Sequence, residues 1–493
     1  MPRSCSRYLV AIGLLVLAAF AARAVSLDAQ SLWRDEVDAL HFATAPWPEM
    51  LSTFTRPGWN GPFYFLLLRG WIALTGTSEY AMRFFSLALG VLCVPLVYAL
   101  GRRLFDRPVG LFAALLVAFS PYLAWYGQEV KMYTLTPALA LLAIYGLRRA
   151  VEDGGWRWWA VQVVATSLAF YSHILAALLI PVQGLLYLTW WPQARKQWKG
   201  ALVSLACLTL PYLPLVAWQA PLMLQTRETG FYHYSLGEMT EILLNGWSLG
   251  ILSWGWPWGM VLMGMLAVWG LVSPISPQPS LDRGGRGKRL ALVEWLVTPL
   301  LAVWVISLRQ PLFTDRYLVW SAPAFYLLVA LGLAFPWHLG VWGRRTAVFL
   351  AGLILVFNGV NLRQQATVPI KSDFRAAAAY VADHCASGEL IVFQIPHAKY
   401  TYDYYFPQDE YPWAEGLYTN HRAPDGSYLM SEQEAARRMQ EMTAGYDTIW
   451  LVATEMEMWD ERGLVQAWLE ANGERVNEAH FMRVDTYQYF FAE

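Results

Sequence analysis

Apolar runs of roughly 17 to 23 residues recur along the chain, at 8–27, 80–100, 109–126, 131–147, 156–172, 173–191, 200–219, 250–272, 290–307, 316–335 and 345–361. A helix of that length crosses a bilayer core about 30 Å thick. The pattern therefore predicts about 11 transmembrane helices. The 156–191 pair turns at Tyr171-Ser172-His173 with little polar punctuation. The run 61–76 is shorter and is interrupted by Arg69. It predicts a helix lying along the outer surface.

From Lys371 the pattern becomes that of a water-soluble domain. Asp373 to Ala386 predicts a helix, Leu390 to Phe393 a strand, and Ser431 to Met442 a helix. Thr448 to Val452 predicts a second strand and Glu461 to Glu470 another helix, with one or two closing strands between Phe481 and Phe491. Strands alternating with helices indicate a small α/β domain. The expected division is a transmembrane domain over 1–365 and an extracytoplasmic α/β domain over 366–493. The stretch Ser273 to Gly287, rich in Pro, Gly and Ser, predicts a flexible connector.

Composition agrees with a polytopic membrane protein. Hydrophobic residues make up 56% and charged residues 15%, against about 25% charged in soluble domains. The chain carries 26 Trp, 26 Tyr and 23 Phe, enough for aromatic belts at both lipid interfaces. A formal net charge of −1 points to no charged partner, and no nucleic-acid partner is expected. The cysteines Cys5, Cys93, Cys207 and Cys385 form no framework, so no disulfide is expected. Ala21-Ala22-Arg23-Ala24 is a poor cleavage site, so the first run reads as an uncleaved span.

Positive charge sets the orientation. With the N-terminus inside, alternate loops carry Arg102, Arg103 and Arg107; Arg148, Arg149 and Arg157; Arg195, Lys196 and Lys199; Arg283, Arg286, Lys288 and Arg289; and Arg344 and Arg345. All fall on one side, as the positive-inside rule requires. The outer side then receives Asp35-Glu36, Gln128-Glu129, His173, the loop 220–249 and the stretch Gln310 to Arg316. The α/β domain is also placed outside, and the membrane is expected to be the inner or plasma membrane of the cell.

Two acidic sites sit on outer loops. Asp35 and Glu36 follow the first span, and Glu129 lies between the third and fourth. Carboxylates beside a membrane are costly unless paired or wet, so they often mark function. Converging carboxylates can divide general-base and metal-binding or orienting duties. The plain alternatives are a solvated loop for Asp35-Glu36 and an ion pair with Lys131 for Glu129. Lys131 and Arg316 are basic residues at outer helix ends, suited to a lipid phosphate or to simple anchoring in the interface. His173 is alone at its turn, where a structural role competes with a binding one. No Walker loop, dinucleotide-binding glycine pattern, zinc-type spacing or serine elbow is present. The lack of a nucleotide site fits an outward-facing active site, where a donor would have to arrive on a lipid.

The order of these features resembles bacterial membrane glycosyltransferases of the GT-C class, close to family 39, which includes protein O-mannosyltransferases and aminoarabinose–lipid A transferases. The matching stretches are Trp33-Arg34-Asp35-Glu36, Gly61-Pro62-Phe63-Tyr64 and the residues to Leu68, Ser78 to Phe84, and Gly101-Arg102-Arg103-Leu104-Phe105. They continue with Ser120-Pro121, Gln128-Glu129-Val130-Lys131-Met132-Tyr133, Tyr171-Ser172-His173 and Asp315-Arg316-Tyr317-Leu318. The resemblance covers about residues 1–360, and Asp373-Phe374-Arg375 matches the opening of the domain appended to many members. Where the family often has His-Pro-Pro, this chain has Asn60-Gly61-Pro62.

The resemblance implies an inverting transfer of a sugar from a polyprenyl-phosphate donor to an extracytoplasmic protein, lipid or glycan. It implies Asp35 as catalytic base, with Glu36 and Glu129 in the catalytic group. It makes Lys131, Tyr133, His173, Arg316 and Tyr317 substrate contacts. No cofactor is implied with certainty; if a divalent ion is used, Asp35, Glu36 and Glu129 are its expected ligands. Adjacency alone does not say whether Asp35 or Glu36 is the base. The competing classes are a transporter or lipid flippase, and a membrane sensor. Transporters favour mid-membrane acids and internal repeats, neither of which the sequence shows.

Overall fold

The structure, a computed structural model, describes residues 3–54, 60–224, 231–252, 257–273, 285–408, 410–423 and 425–491. Most of the expected connector at 273–287 lies outside the described residues, as does Arg283. The chain forms two compact units. The first comprises residues 1–27 and 42–367, and the second 28–41 and 368–493.

The first unit is helical. Each apolar run of the sequence holds a helix. Among the described residues, six helices are long and apolar enough to span a membrane on their own, and a bent pair makes a seventh. Phe63–Thr75, Ile174–Thr189 and Trp258–Val272 are apolar but shorter. The difference from about 11 full-length spans lies in Ile174–Thr189 and Trp258–Val272, in Trp156–Phe170 with its 15 residues, and in Leu135–Asp153, which ends in Arg148, Arg149, Glu152 and Asp153.

The bent pair shows how local chemistry sets the architecture. Arg107–Ala118 and Pro121–Gly127 meet at 55°. Pro121 has no amide hydrogen, so the first helix cannot continue through it. Ser120 caps the new helix, accepting from the Leu123 amide at 3.1 Å. The break strips carbonyls of their helical donors, which is costly in an apolar interior. Arg23 of the first helix fills the gap. Its guanidinium donates to Ala118 O at 2.6 Å and Val117 O at 2.8 Å, and the side chain is fully buried.

The helical segment Asp315–Trp337 is the most enclosed of the six, with 94% of its apolar window buried. Glycines allow its close approach to Trp258–Val272. A Cβ on Gly332 would lie 2.1 Å from Leu266 O, and one on Gly270 would lie 2.2 Å from Leu328 O. Small residues at helix contacts serve this purpose in membranes.

Some of the basic loops contact one another or their neighbours. Arg103 pairs with Glu152 and Asp153. Arg148 lies 4.8 Å over the Trp190 ring, and His338 Nε2 is 2.9 Å from Asp106. The loops at 128–134, 171–174 and 314–317 meet one another elsewhere, through the ring contacts of Tyr133, His173 and Tyr317.

The second unit is an α/β domain with a five-stranded sheet in the order β2-β1-β3-β5-β4. The strands are β1 (Leu390–Phe393), β2 (Trp413–Glu415), β3 (Thr448–Ala453), β4 (Glu474–Phe481) and β5 (Val484–Phe490). β1 is parallel to β2 and β3, while β5 is antiparallel to β3 and β4. β1 is buried on both faces, as expected of a strand covered by helices on each side. Ile391, Phe393, Trp450 and Val452 pack with Phe374, Ala377 and Val381 on one face. Leu390, Val392, Ile449 and Leu451 pack with Met439, Val465 and Leu469 on the other.

Two elements of this sheet escape the sequence pattern. β2 is only three residues long. β4 starts at Glu474, earlier than the expected closing segment, and its mostly exposed edge carries no apolar alternation.

The expected boundary at 365/366 assigned residues 28–41 to the membrane part. They cluster instead with the α/β unit. The cause is packing at long sequence separation, which hydropathy cannot register.

Candidate active site

In the first unit, the turn after Pro121–Gly127 carries the Glu129 motif. Lys131 N donates to Glu129 O at 2.8 Å, which tightens the turn. Glu129 is 1% exposed. The turn is propped from the side: Tyr64 OH lies 2.8 Å from Ser86 Oγ, Ser86 Oγ reaches Lys131 O at 3.4 Å, and Thr134 Oγ1 donates to Ser86 O at 2.8 Å. Tyr64 thus gives the 61–68 motif a supporting part.

The turn delivers Tyr133 to a cluster of aromatic and basic groups. The ring of Tyr133 is 5.3 Å from that of Tyr126 and 6.3 Å from that of His173. His173 in turn lies 4.8 Å from Tyr317. The Arg316 guanidinium sits 5.7 Å from the Tyr133 ring and 6.0 Å from the Tyr317 ring. Both distances are within cation–π range. The structure therefore brings together Tyr133, His173, Arg316 and Tyr317, with Glu129 and Lys131 on the turn that leads into them.

His173 is fixed by its own backbone. Its Nδ1 accepts from the Leu175 amide at 3.3 Å, capping a short 3₁₀ segment. That bond assigns the proton of the neutral ring to Nε2. Nε2 is buried and has no hydrogen-bond partner among the described residues. A buried donor next to Arg316 and two tyrosines suits a substrate oxygen.

The His173 turn is held by the variant motif Asn60-Gly61-Pro62. Asn60 Oδ1 accepts from the Ile174 amide at 3.1 Å, and Phe63 N donates to Tyr171 O at 3.0 Å. A Cβ on Gly61 would lie 2.3 Å from Tyr171 O. Only glycine fits such an approach.

In the second unit, Asp35 and Glu36 occupy the first turn of the helix Arg34–Thr44. Acids are favoured at a helix N-terminus. Glu36 is fully buried, and its Oε2 accepts from Lys371 Nζ at 2.9 Å. It also reaches back to the Trp33 amide at 3.4 Å, in the manner of a capping box. Asp35 is partly exposed. Among the described residues no group of three or more His, Cys, Asp or Glu side chains is placed to hold a metal ion.

Residues 56–218 match the sequence model of the dolichyl-phosphate-mannose-protein mannosyltransferase family. Over the whole chain, the fold is similar to that of ArnT from Cupriavidus metallidurans, solved with undecaprenyl phosphate. That similarity has a TM-score of 0.59 at 14% identity and covers 97% of each chain. It is also similar to the oligosaccharyltransferase AglB from Archaeoglobus fulgidus, solved with an inhibitory peptide and a dolichol-phosphate. There the TM-score is 0.58 at 11% identity, covering 99% of this chain and 74% of that one. The chain has the fold of these membrane glycosyltransferases. No curated protein matches it by sequence.

Three residues near the candidate site carried no assignment from the sequence. Tyr126 OH donates to Asp315 Oδ2 at 2.8 Å, and Tyr122 OH donates to Asp315 O at 2.9 Å. Asp315 thereby ties the Arg316 loop to the helix that precedes Glu129. The signal was an acid directly before Arg316 in a matched motif. The fourth unassigned residue, Lys371, had no local signal, because its partner Glu36 is 335 positions away.

Proposed function

We propose that this protein is a glycosyltransferase that moves a sugar from a polyprenyl-phosphate donor to an extracytoplasmic acceptor, with inversion at C1. The acceptor class comprises protein, lipid and glycan. The observation that carries this reading is the Arg316 guanidinium flanked by Tyr133 and Tyr317, with the His173 donor beside it. A planar cation in aromatic surroundings suits a lipid phosphate, which Arg can hold bidentately. The lipid phosphates found with ArnT and AglB support the same donor chemistry.

The chemistry is one displacement. The Asp35 carboxylate takes the proton of the acceptor nucleophile. The nucleophile attacks C1 from the face opposite the leaving group. The C1–O bond breaks and the lipid phosphate departs with the electron pair. Its charge grows in the transition state, so fixed cations such as Arg316 and Lys131 lower the barrier. A single displacement inverts the anomeric centre.

The reading requires the acid-bearing loop and the α/β domain on the extracytoplasmic side of the cell membrane, and the one-sided arginines support that placement. A reporter active only in the cytoplasm, fused after Glu493, should stay silent. The reaction itself is tested by radiolabelled sugar transfer from a polyprenyl-phosphate donor in membranes. Comparing surface glycans and glycoproteins by mass spectrometry, with and without the protein, identifies the acceptor. Absence of transfer from any lipid-phosphate sugar would overturn the proposal.

A further inference from the structure

Residues 28–36 are fastened to the opening of the α/β domain by a row of bonds within the second unit. Gln30 Oε1 accepts from the amides of Ile370 and Lys371 at 2.8 and 2.9 Å. Ser31 Oγ donates to Ser372 O at 2.6 Å, and Leu32 N donates to Tyr405 OH at 2.6 Å. Arg375 Nη2 donates to Asp28 O at 2.9 Å. Arg34 pairs with Glu455 at 3.3 Å. At the end of this row, Lys371 Nζ meets Glu36 in a buried ion pair, their side chains 5% and 0% exposed.

Exposed ion pairs contribute little to stability, and a buried pair is no better as a stabiliser than apolar side chains of the same size. What a buried pair does is fix geometry, because either charge alone in that place is strongly unfavourable. Here the fixed object is the first turn of the helix that begins at Arg34. Glu36 points to Lys371 and to the Trp33 amide. Asp35, one residue earlier and about 100° away around the helix, must then face elsewhere.

We infer that Lys371 is a positioning residue: by holding Glu36, the α/β domain fixes the orientation of Asp35. This rests on the proposed role of Asp35 as base, and it assigns the two adjacent acids different parts. Glu36 is an anchor whose charge is neutralised on the spot. Asp35 is the carboxylate to which the proposed function gives the proton.

The test compares Lys371→Arg, Lys371→Met and the double variant Glu36→Gln/Lys371→Met in membranes, at equal abundance. The double variant leaves no buried unpaired charge, so it keeps the fold while losing the clamp. A misplacement of about 1 Å can cost about 100-fold in rate. The double variant should lose roughly 10- to 100-fold in kcat with the donor KM changed less than about twofold. Lys371→Arg should recover most of the loss. Hydrogen exchange at residues 28–41 should quicken in the double variant and stay slow in Lys371→Arg. Wild-type kcat in the double variant, or unchanged exchange, would overturn the inference. A wild-type protein that transfers no sugar would instead overturn the proposed function, and the exchange comparison would still decide whether Lys371 holds the loop.

Discussion

Tyr126 donates its hydroxyl to the carboxylate of Asp315 across 2.8 Å, joining positions 189 residues apart. The bond links the helix Pro121–Gly127, which leads to Glu129, with the 3₁₀ turn that presents Arg316. Tyr126 is 3% exposed, so its hydroxyl has little access to water as an alternative partner. A hydrogen bond to a charged group contributes about 1.5–3 kcal/mol. Tyr126→Phe removes it at nearly constant volume. The expected result is a loss of thermal stability in detergent together with a several-fold rise in the donor KM. A stability loss with an unchanged KM would assign the bond to folding alone.

Arg316 itself should matter for the donor more than for the acceptor. Removing a charge-assisted hydrogen bond from a desolvated site costs about 1.5–3 kcal/mol. Arg316→Ala should therefore raise the donor KM roughly 10- to 100-fold and leave the acceptor KM near its starting value. Arg316→Lys should recover only part of the loss, because an ammonium lacks the planar fork and stacks less well between Tyr133 and Tyr317. An unchanged donor KM would mark Arg316 as an interfacial anchor.

Arg23 makes a prediction about folding. It donates to Val117 O and Ala118 O at the break before Pro121. Arg23→Met retains most of the apolar stem and removes both donors. Each buried carbonyl left without a partner costs about 1–3 kcal/mol. Thermal unfolding in detergent should fall by several degrees, and the helix break should become more accessible to hydrogen exchange. Wild-type stability would mean that the carbonyls find other donors.

The sequence reveals this protein unevenly, for physical reasons. Helical runs in the first unit announce themselves, since an apolar solvent forces long uninterrupted hydrophobic stretches. β1 and β3 are legible for the same reason, being buried on both faces. β4 is not, because an edge strand such as Glu474–Phe481 needs no apolar alternation. The candidate site is legible as motifs and not as geometry. Nothing in the local sequence says that Gly61 lies against Tyr171, that Tyr126 reaches Asp315, or that Lys371 meets Glu36. Those depend on packing between residues far apart in the chain. Arg23 illustrates the opposite error: it reads as a flaw in a cleavage site and proves to be a structural donor.

The two adjacent acids differ in their surroundings, and the proposed base can be tested on that difference. Glu36 is fully buried and bonded to Lys371 at 2.9 Å, whereas Asp35 is partly exposed. A general base must approach the proton it removes, and a carboxylate already held by a lysine is poorly placed to do so. Asp35→Asn changes the size of the side chain very little but abolishes its ability to take a proton. A positioned base contributes about 10²- to 10⁴-fold, so turnover with saturating donor should drop by about that factor, with the protein folded and the donor still bound. Glu36→Gln leaves Lys371 without its counter-charge and should show a smaller fall in turnover, accompanied by a loss of stability that Asp35→Asn does not share. The decisive measurement is turnover and thermal stability of both variants at equal membrane abundance. If Glu36→Gln proved the slower enzyme at full stability, Glu36 would be the base. If both variants turned over like the wild type, the loop would have no catalytic part.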